Sequence, residues 1–197
     1  MARDPVDRRE AILASAAALF ATRGVAATTV RQIADEVGIL SGSLYHHFES
    51  KEAMVDQIVS SFLEDLRTRY KRVLDERSDP RARLHDLVVA SLEVVEEHPH
   101  ATEIYQNDVN YLLQFERFAY LRSAGKEVQS TWLQVIEAGV AQGAFRADLD
   151  AKILYRLIRD AVWLSVRWFK PSKEYPTSRL AEDCTALFLD GLTTART

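Results

Sequence analysis

Apolar residues recur every three or four positions along almost the whole chain, which is the spacing of one face of an α-helix. The clearest run lies between Asp79 and Pro99, and its apolar positions are Leu84, Leu87, Val88, Leu92 and Val95. Asp79 followed by Pro80 is typical of a helix start, and Pro99 of a helix end. Alternation between apolar and polar positions, which a half-buried strand would show, is not a general feature of the chain. The pattern predicts an all-α protein with about nine helices.

The front of the chain contains shorter elements with clear boundaries. The first helix is predicted over residues 7–23 and ends at Gly24, because glycine readily takes the left-handed conformation that follows a helix. Thr29 and Gln32 have the spacing of a capping box, which predicts the start of a second helix. Gly38 ends this helix after about two turns.

Ser41 is predicted to cap a third short helix, and Ser50 to cap a longer fourth one. Two short helices joined by a glycine turn, behind a longer packing helix, indicate a helix-turn-helix. We therefore expect residues 1–51 to form a DNA-binding domain and residues 52–197 to form a ligand-binding and dimerisation domain.

Composition narrows the class of protein. The 197 residues are 47% hydrophobic and 27% charged, which is typical of a folded globular chain. A single cysteine, Cys184, and the lack of a Cys/His ligand set argue against a disulfide scaffold or a zinc finger, so no metal site is expected. Neither a signal peptide nor a membrane-spanning stretch is evident, so a cytoplasmic location is predicted.

The net charge of −4 lies entirely beyond residue 51, since residues 1–51 hold six basic and six acidic side chains. A protein that coats nucleic acid nonspecifically would be more positive. Contacts with DNA must therefore come from a few specifically positioned groups and helix dipoles, and not from a general positive charge.

The outward positions of the predicted helix-turn-helix suit DNA. They are Arg31, Ser41, Gly42, Ser43, Tyr45, His46 and His47. Hydroxyl groups can donate to phosphates, and the predicted helix starts at Thr29, Ser41 and Ser50 direct amide groups at anions. Lys51 adds a cation at the last of these starts. In an arbitrary helical protein, however, a Tyr-His-His-Phe run is more often a partly exposed helix end.

Residues 12–54 resemble the DNA-binding domain of TetR-type repressors. The stretches that carry the resemblance are ILASAAALFATRG, TTVRQIADEVG and LYHHFESKEAM. The resemblance implies phosphate contacts from Thr29, Tyr45, His46 and Lys51. It also implies that Ser41, Gly42 and Ser43 lie near base edges.

The sequence departs from that family at two positions at the start of the third predicted helix, which would contact the DNA bases. Many members have a serine where Leu40 stands and a lysine where Ser41 stands. One cation is therefore missing here, which predicts a lower salt-dependent affinity, and the base preference cannot be carried over.

Residues 155–170 combine arginine and tryptophan in an otherwise apolar element. On a continuous helix Arg159, Trp163 and Arg167 lie on one face. Guanidinium groups bind phosphate and a tryptophan ring can stack on a flat ring, so this face suits a nucleotide-like anion such as a CoA thioester. The alternative is that the arginines pair with acidic residues across the dimer bundle, of which the candidates are Asp160, Glu182, Asp183 and Asp190. Asp160 is also the sequence neighbour of Arg159 and can compete for it directly.

A second set of candidate ligand-binding residues is Tyr105, Gln106 and Asn110, whose polar groups can hydrogen-bond to ligand carbonyls. The alternative is that the amides of this segment mark a kink or a solvent-facing side. Trp132, on a helical apolar stripe further along, is also included among the candidate ligand-binding residues. His98 and His100 are interpreted as part of a corner between helices.

The resemblance also implies a dimer, in which the last two helices pair with those of a second copy and helices four to eight surround a pocket. The predicted seam consists of Leu180, Cys184, Leu187, Phe188 and Gly191. The alternative is that this stripe packs into the core of its own chain.

The resemblance extends over nearly the full chain to the actinobacterial TetR-type repressors of cholesterol ring C/D catabolism. It is carried by GILSGSLYHHF at 38–48, IYQ at 104–106, YRLIRD at 155–160 with Trp163, and SVRW at 165–168. It implies that the inducer is the CoA thioester of a bicyclic indanedione propanoate. The residues alone are equally compatible with a fatty acyl-CoA, and a drug-like ligand is a further alternative.

Enzyme signatures are not found. The sequence has no paired Glu-x-x-His motifs, no Gly-rich phosphate loop and no Gly-x-Ser-x-Gly nucleophile elbow. No catalytic residue and no cofactor are therefore expected. The predicted partners are double-stranded operator DNA, a CoA thioester effector and a second copy of the chain, with no membrane.

Overall fold

A computed structural model describes residues 5–192 of the chain. Within that range the chain forms nine α-helices, two 3-10 helices and no strand, which confirms the all-α prediction. The α-helices are α1 Pro5–Arg23, α2 Val30–Glu36, α3 Ser41–Leu44, α4 Lys51–Glu76, α5 Pro80–Glu97, α6 Pro99–Leu112, α7 Tyr120–Ala141, α8 Ala151–Trp163 and α9 Thr177–Leu192. The 3-10 helices are Glu116–Phe118 and Leu164–Arg167. Among the described helices, none has the length and apolar character needed to cross a bilayer.

The chain divides into two compact units. The first contains the described residues up to Phe62 together with His100–Leu121, and the second contains Leu63–Pro99 and the described residues from Arg122 onward. The helix-turn-helix therefore belongs to a compact unit that also includes part of α4 and nearly all of α6. The functional boundary at residue 51 stays a prediction.

Local capping interactions set several helix starts as predicted. The Thr29 hydroxyl accepts the Gln32 N–H at 3.2 Å, and the Gln32 side chain accepts the Thr29 N–H at 2.8 Å, which completes the capping box of α2. Ser50 accepts the Ala53 N–H at 3.0 Å, next to the first turn of α4. Asp79 accepts the Ala82 N–H at 2.7 Å and caps α5.

The start of α3 differs from the prediction. Leu40, in an extended conformation, is the residue that precedes the helix, and Ser41 is the first helical residue, so the prediction of Ser41 as the cap is wrong. Leucine has no side-chain acceptor, and this end of α3 accordingly has no side-chain cap. Gly24 and Gly38 have φ values of +80° and +67°, as the predicted helix ends after α1 and α2 require.

The second unit has a core in which α5 packs against α8 and α9. A buried chain of hydrogen bonds stabilises this unit. The Trp132 indole N–H donates to the Tyr70 hydroxyl at 3.0 Å, and the Tyr70 and Ser91 hydroxyls lie 2.6 Å apart. Ser91 donates to the Leu87 carbonyl at 2.7 Å, so Tyr70 is the donor to Ser91. Burial raises the pKa of Tyr70 well above its usual range, which keeps the phenol protonated.

Candidate DNA interface and effector site

The short helix α3 is held by its buried side and presents a polar surface on the other side. Leu44, at the end of α3, is fully buried, as is Ile33 on α2, and the two helices pack together. The remaining residues of this segment are partly or fully exposed, and they are Ser41, Gly42, Ser43, Tyr45 and His46. Five of the eight predicted DNA-binding residues are thus at least partly exposed within one short segment of the chain.

Two further predicted contacts, Thr29 and Arg31, lie at the start of α2. The exposed Thr29 has its hydroxyl engaged in the capping box. Arg31 is largely exposed and only loosely paired, with 3.8 Å between its Nε and the Asp35 carboxylate. Exposed pairs of this kind contribute little to stability, so the guanidinium can turn to a phosphate at small cost.

Lys51 has a role that the sequence did not indicate. Its ammonium donates to the Val25 carbonyl at 2.7 Å and to the Thr28 carbonyl at 3.0 Å. These carbonyls belong to the connection between α1 and α2. Since an ammonium has three donors, at most one remains for a phosphate. Lys51 thus contributes to the fold of this unit, and its contact with a DNA phosphate stays a prediction.

Polar residues of α6 and the segment after it also hold the helix-turn-helix unit together. Asp108 accepts the Val25 N–H at 3.4 Å, and burial raises the pKa of this carboxyl more than the hydrogen bond lowers it. Arg117 pairs with Glu49 and lies 3.5 Å from Asp56. The sequence analysis missed these residues because their partners are more than sixty positions away along the chain.

The predicted Arg/Trp face near the end of α8 is not one continuous face. The α-helix ends at Trp163, and Arg167 belongs to the following 3-10 helix, so the spacing that would align it with Arg159 is interrupted. Trp163 is only 4% exposed, which leaves its ring no free surface for stacking. The Arg159 Nε donates to the adjacent Asp160 at 2.8 Å, which is one of the pairings considered from the sequence.

The second set of predicted ligand-binding residues has mixed surroundings. Tyr105 is mostly buried, its ring centroid lies 5.8 Å from that of Phe62, and burial raises its pKa. Gln106 is half-buried, whereas Asn110 is exposed, as a solvent-facing side requires. Trp132 is 1% exposed and its N–H donates to the Tyr70 hydroxyl, so it lies in the core, and its contact with a ligand stays a prediction.

Two open clefts occur in the second unit. The α4–α7 cleft has a volume of about 370 Å³ and combines the cations Arg67 and Lys71 with Thr68, Tyr70, Leu74, Asp75, Glu127, Val128 and Thr131. The α5–α9 cleft has a volume of about 510 Å³, and its charged lining residues include Glu93, Glu96 and Glu182. The acidic lining of the α5–α9 cleft disfavours an anionic ligand. Both linings differ from the sets predicted from sequence.

A cluster around Arg69 joins α4 to the end of α5. The guanidinium pairs with Asp65 at 3.0 Å, with Glu93 at 3.1 Å and with Glu97 at 2.5 Å. His98 lies 3.1 Å from Asp65, so Asp65, Glu97 and His98 have ligand atoms close enough for one metal ion. Arg69 donates to both of these carboxylates, so the cluster is held together as a salt-bridge network. His98 ends α5 and Pro99 begins α6, so His98 lies at the junction between these two helices, as the sequence predicts.

Comparison with known proteins identifies the family. Residues 12–58 match the family described as bacterial regulatory proteins, tetR family, and residues 77–192 match the tetracyclin repressor-like C-terminal domain. The chain belongs to the TetR family of transcriptional repressors.

Relatives within the TetR family cover nearly the whole chain. The HTH-type transcriptional repressor KstR2 of Rhodococcus jostii is 46% identical over 185 residues, which are 94% of this chain and 91% of that protein. KstR2 of Mycobacterium tuberculosis is 44% identical over 186 residues, or 94% and 93% of the two chains. A solved structure of the ketosteroid transcriptional regulator KstR2 of M. tuberculosis has a TM-score of 0.90 at 42% identity and covers 98% of this chain and 97% of that one. These relatives are regulators, which confirms that the chain is not an enzyme.

TetR regulators bind DNA operators, typically as dimers. Leu180, one of the residues of the predicted dimer seam, is only 6% exposed and packs into its own chain. For this residue, therefore, the alternative of packing into the core of its own chain is correct. Leu187 is 76% exposed, Gly191 is exposed, and Cys184 and Phe188 are half-buried. Two apolar residues of α8 that the sequence analysis did not select, Ile153 and Leu157, are 53% and 65% exposed.

Proposed function

We propose that this TetR-family repressor binds a palindromic operator as a homodimer and is released by the CoA thioester of a bicyclic steroid catabolite. The observation that carries the proposal is the identity of 44–46% to repressors named KstR2 over more than nine-tenths of the chain. The similarity includes the C-terminal region in which effector specificity would lie. The description of one such relative as a ketosteroid transcriptional regulator supports a steroid-derived effector.

The charge distribution near the end of α8 supports an anionic effector. Arg156 and Arg167 are exposed and Arg159 is partly exposed, so three arginines of α8 and the following 3-10 helix are accessible to solvent, although Arg167 does not share a face with Arg159. A CoA thioester carries phosphates, which guanidinium groups bind in a bidentate manner. In this proposal a phosphate replaces Asp160 as the partner of Arg159. Tyr105 and Gln106 remain candidates for hydrogen bonds to the ring ketones.

Two apolar surfaces support the dimer. Ile153 and Leu157 are one helical turn apart on α8, and Leu187 extends from α9. In the proposed dimer α8 and α9 bury these residues against the same helices of a second copy. Dimeric helix-turn-helix proteins place their two reading helices about 34 Å apart, which is the spacing of successive major grooves.

The experiment is a titration of the operator complex, followed by fluorescence anisotropy. The competitors are the steroid-fragment CoA thioester, its free acid, a long-chain acyl-CoA, a hydrophobic drug-like molecule without CoA, and CoA alone. We expect release by the steroid-fragment thioester only. Release by long-chain acyl-CoA or by hydrophobic molecules without CoA would instead support the alternative, a regulator of fatty acyl-CoA or drug-like ligands.

Variants locate the site within the second unit. We expect Arg159→Met and Arg167→Met to bind operator normally and to need at least about ten-fold more thioester for release, since each loses a charged hydrogen bond to phosphate. Lys71→Met, in the α4–α7 cleft, is the matched control and should respond like the wild type. If both arginine variants release the operator at the normal thioester concentration and Lys71→Met needs a higher one, the phosphate site lies in the α4–α7 cleft. A variant at Trp163 would not test the phosphate site, because Trp163 is buried and its replacement would disturb packing.

A further inference from the structure

Leu40 is the most exposed large hydrophobic residue in the described part of the chain, at 80% of its full accessible surface. Its backbone is nevertheless well held. The Leu40 carbonyl accepts the Ser43 N–H at 2.9 Å, and the neighbouring Ile39 N–H donates to the Ala34 carbonyl at 2.9 Å. The side chain is therefore presented to solvent from a fixed position.

The core does not account for this leucine. Packing between α2 and α3 is supplied by Ile33 and Leu44, both fully buried, and Phe48 is 4% exposed. A single exposed leucine on a protein surface is ordinary, so exposure alone carries no functional meaning. The position of Leu40 is what distinguishes it.

Leu40 immediately precedes α3, the second short helix of the helix-turn-helix. In proteins of this class the amino-terminal residues of that helix face base edges in the major groove. The next residues, Ser41, Gly42 and Ser43, offer hydroxyl groups and an open backbone, since a Cβ added at Gly42 would meet no atom within 4 Å. Serine hydroxyls discriminate weakly between bases because they both donate and accept.

The apolar group on a base edge in the major groove is the 5-methyl of thymine. An exposed leucine at this position gains free energy by covering that methyl group, and it gains less from cytosine, which lacks it. We infer that Leu40 is a specificity-determining residue that recognises a thymine of the operator through its 5-methyl group. The inference rests on operator binding by α3, as the proposed function requires.

The test removes one methyl group at a time from the DNA. The probe is a palindromic duplex that the wild-type protein selects from a random-sequence pool, with each thymine replaced in turn by deoxyuridine in both half-sites. Dissociation constants are measured by anisotropy at one fixed salt concentration. At one thymine position we expect the wild type to lose about four-fold in affinity per half-site, the factor that corresponds to one buried methyl group.

Three variants assign the effect to Leu40. Leu40→Ala should bind the thymine and deoxyuridine duplexes equally at that position, whereas Leu40→Met, which keeps an apolar side chain, should retain discrimination. Leu149→Ala removes an exposed leucine from the connection before α8 and should behave as the wild type. Equal unfolding midpoints in urea establish that Leu40→Ala is folded, as its exposure predicts.

Two outcomes overturn the inference and are distinguishable. If the wild type binds every deoxyuridine duplex as tightly as the parent, or if Leu40→Ala still discriminates, Leu40 does not read a thymine and operator binding stands. If the wild type selects no duplex from the pool, operator binding itself fails and the inference fails with it.

Discussion

Two cations that are predicted to bind phosphate groups, of DNA in one case and of the effector in the other, already have partners within the chain. Lys51 donates to two backbone carbonyls of the α1–α2 connection, and Arg159 is paired with Asp160. Breaking these two sets of contacts would cost different amounts of free energy. The Arg159 pair is partly exposed and easily exchanged, whereas the carbonyls at Lys51 are part-buried and would lose their donor.

We therefore expect Lys51→Met to lower the free energy of unfolding by about 1–3 kcal/mol, because two carbonyls lose a charged donor. Operator affinity should fall as well, since Thr28 directly precedes the cap of α2. Urea unfolding and operator anisotropy measure the two effects. The control is Tyr45→Phe, which removes an exposed hydroxyl and should weaken operator binding without changing the unfolding midpoint. An unchanged midpoint for Lys51→Met would show that its carbonyl contacts contribute nothing.

Residue-level patterns predict structure well where the interaction is local. Thr29 with Gln32, and Asp79 with Ala82, form the expected caps because donor and acceptor are three residues apart. Ser41 was misplaced by one position, since a serine next to a leucine does not reveal which of the two has the extended backbone. Contacts such as Asp108 with Val25 depend on the tertiary fold and leave no mark in the local sequence.

At the level of single helices, α8 shows why periodicity alone overextends an element. Arginine and tryptophan recur at helical spacing through Arg167, but the backbone changes to 3-10 geometry at Leu164. The hydrophobic pattern correctly predicted that the segment is helical. It did not predict the change in pitch, which moves Arg167 off the face of Arg159.

Helix α4 offers a matched pair of arginines. Arg69 contacts three carboxylates and is 17% exposed, whereas Arg67 pairs with Glu127 and is 44% exposed. We expect Arg69→Met to destabilise the protein by about 2 kcal/mol at pH 7, because Asp65 and its neighbours lose their counter-charge in a partly buried position. Arg67→Met should cost at most about 0.5 kcal/mol, as exposed pairs do.

The Arg69 effect should depend on pH in a defined direction. Burial alone would raise the pKa of Asp65, but hydrogen bonds and charge from Arg69 and His98 outweigh it and lower that pKa. A lowered folded-state pKa gives stability that is present above the unfolded pKa of about 4 and is lost as the pH falls through the folded value. The difference between the wild type and Arg69→Met should therefore shrink in urea titrations below about pH 4. A difference that stays constant from pH 7 to pH 3 would contradict this account.

At the scale of the whole molecule, the apolar residues that a single chain leaves exposed indicate where a second copy can pack. Leu180 is buried within its own chain, while Leu187, Ile153 and Leu157 are open to solvent. Leu180 and Leu187 lie on one apolar stripe of the sequence. The stripe alone does not show which of them is buried within its own chain, because an intramolecular core and a dimer interface have the same periodicity. Burial in the folded chain separates them, and it adds two α8 residues to the predicted interface.

Leu187→Glu tests that surface. The side chain is already exposed, so we expect the unfolding midpoint of the isolated chain to change little. In a symmetric dimer each residue is used twice, so losing two leucine contacts of about 1.5 kcal/mol or more each should weaken dimerisation by at least about 100-fold. Light scattering coupled to gel filtration measures this shift, and Leu149→Glu, at an exposed position before α8, is the matched control. A Leu187→Glu protein that stays dimeric would place the interface elsewhere. A monomeric variant that loses operator affinity would establish that the two copies of α3 must be joined to bind the two half-sites together.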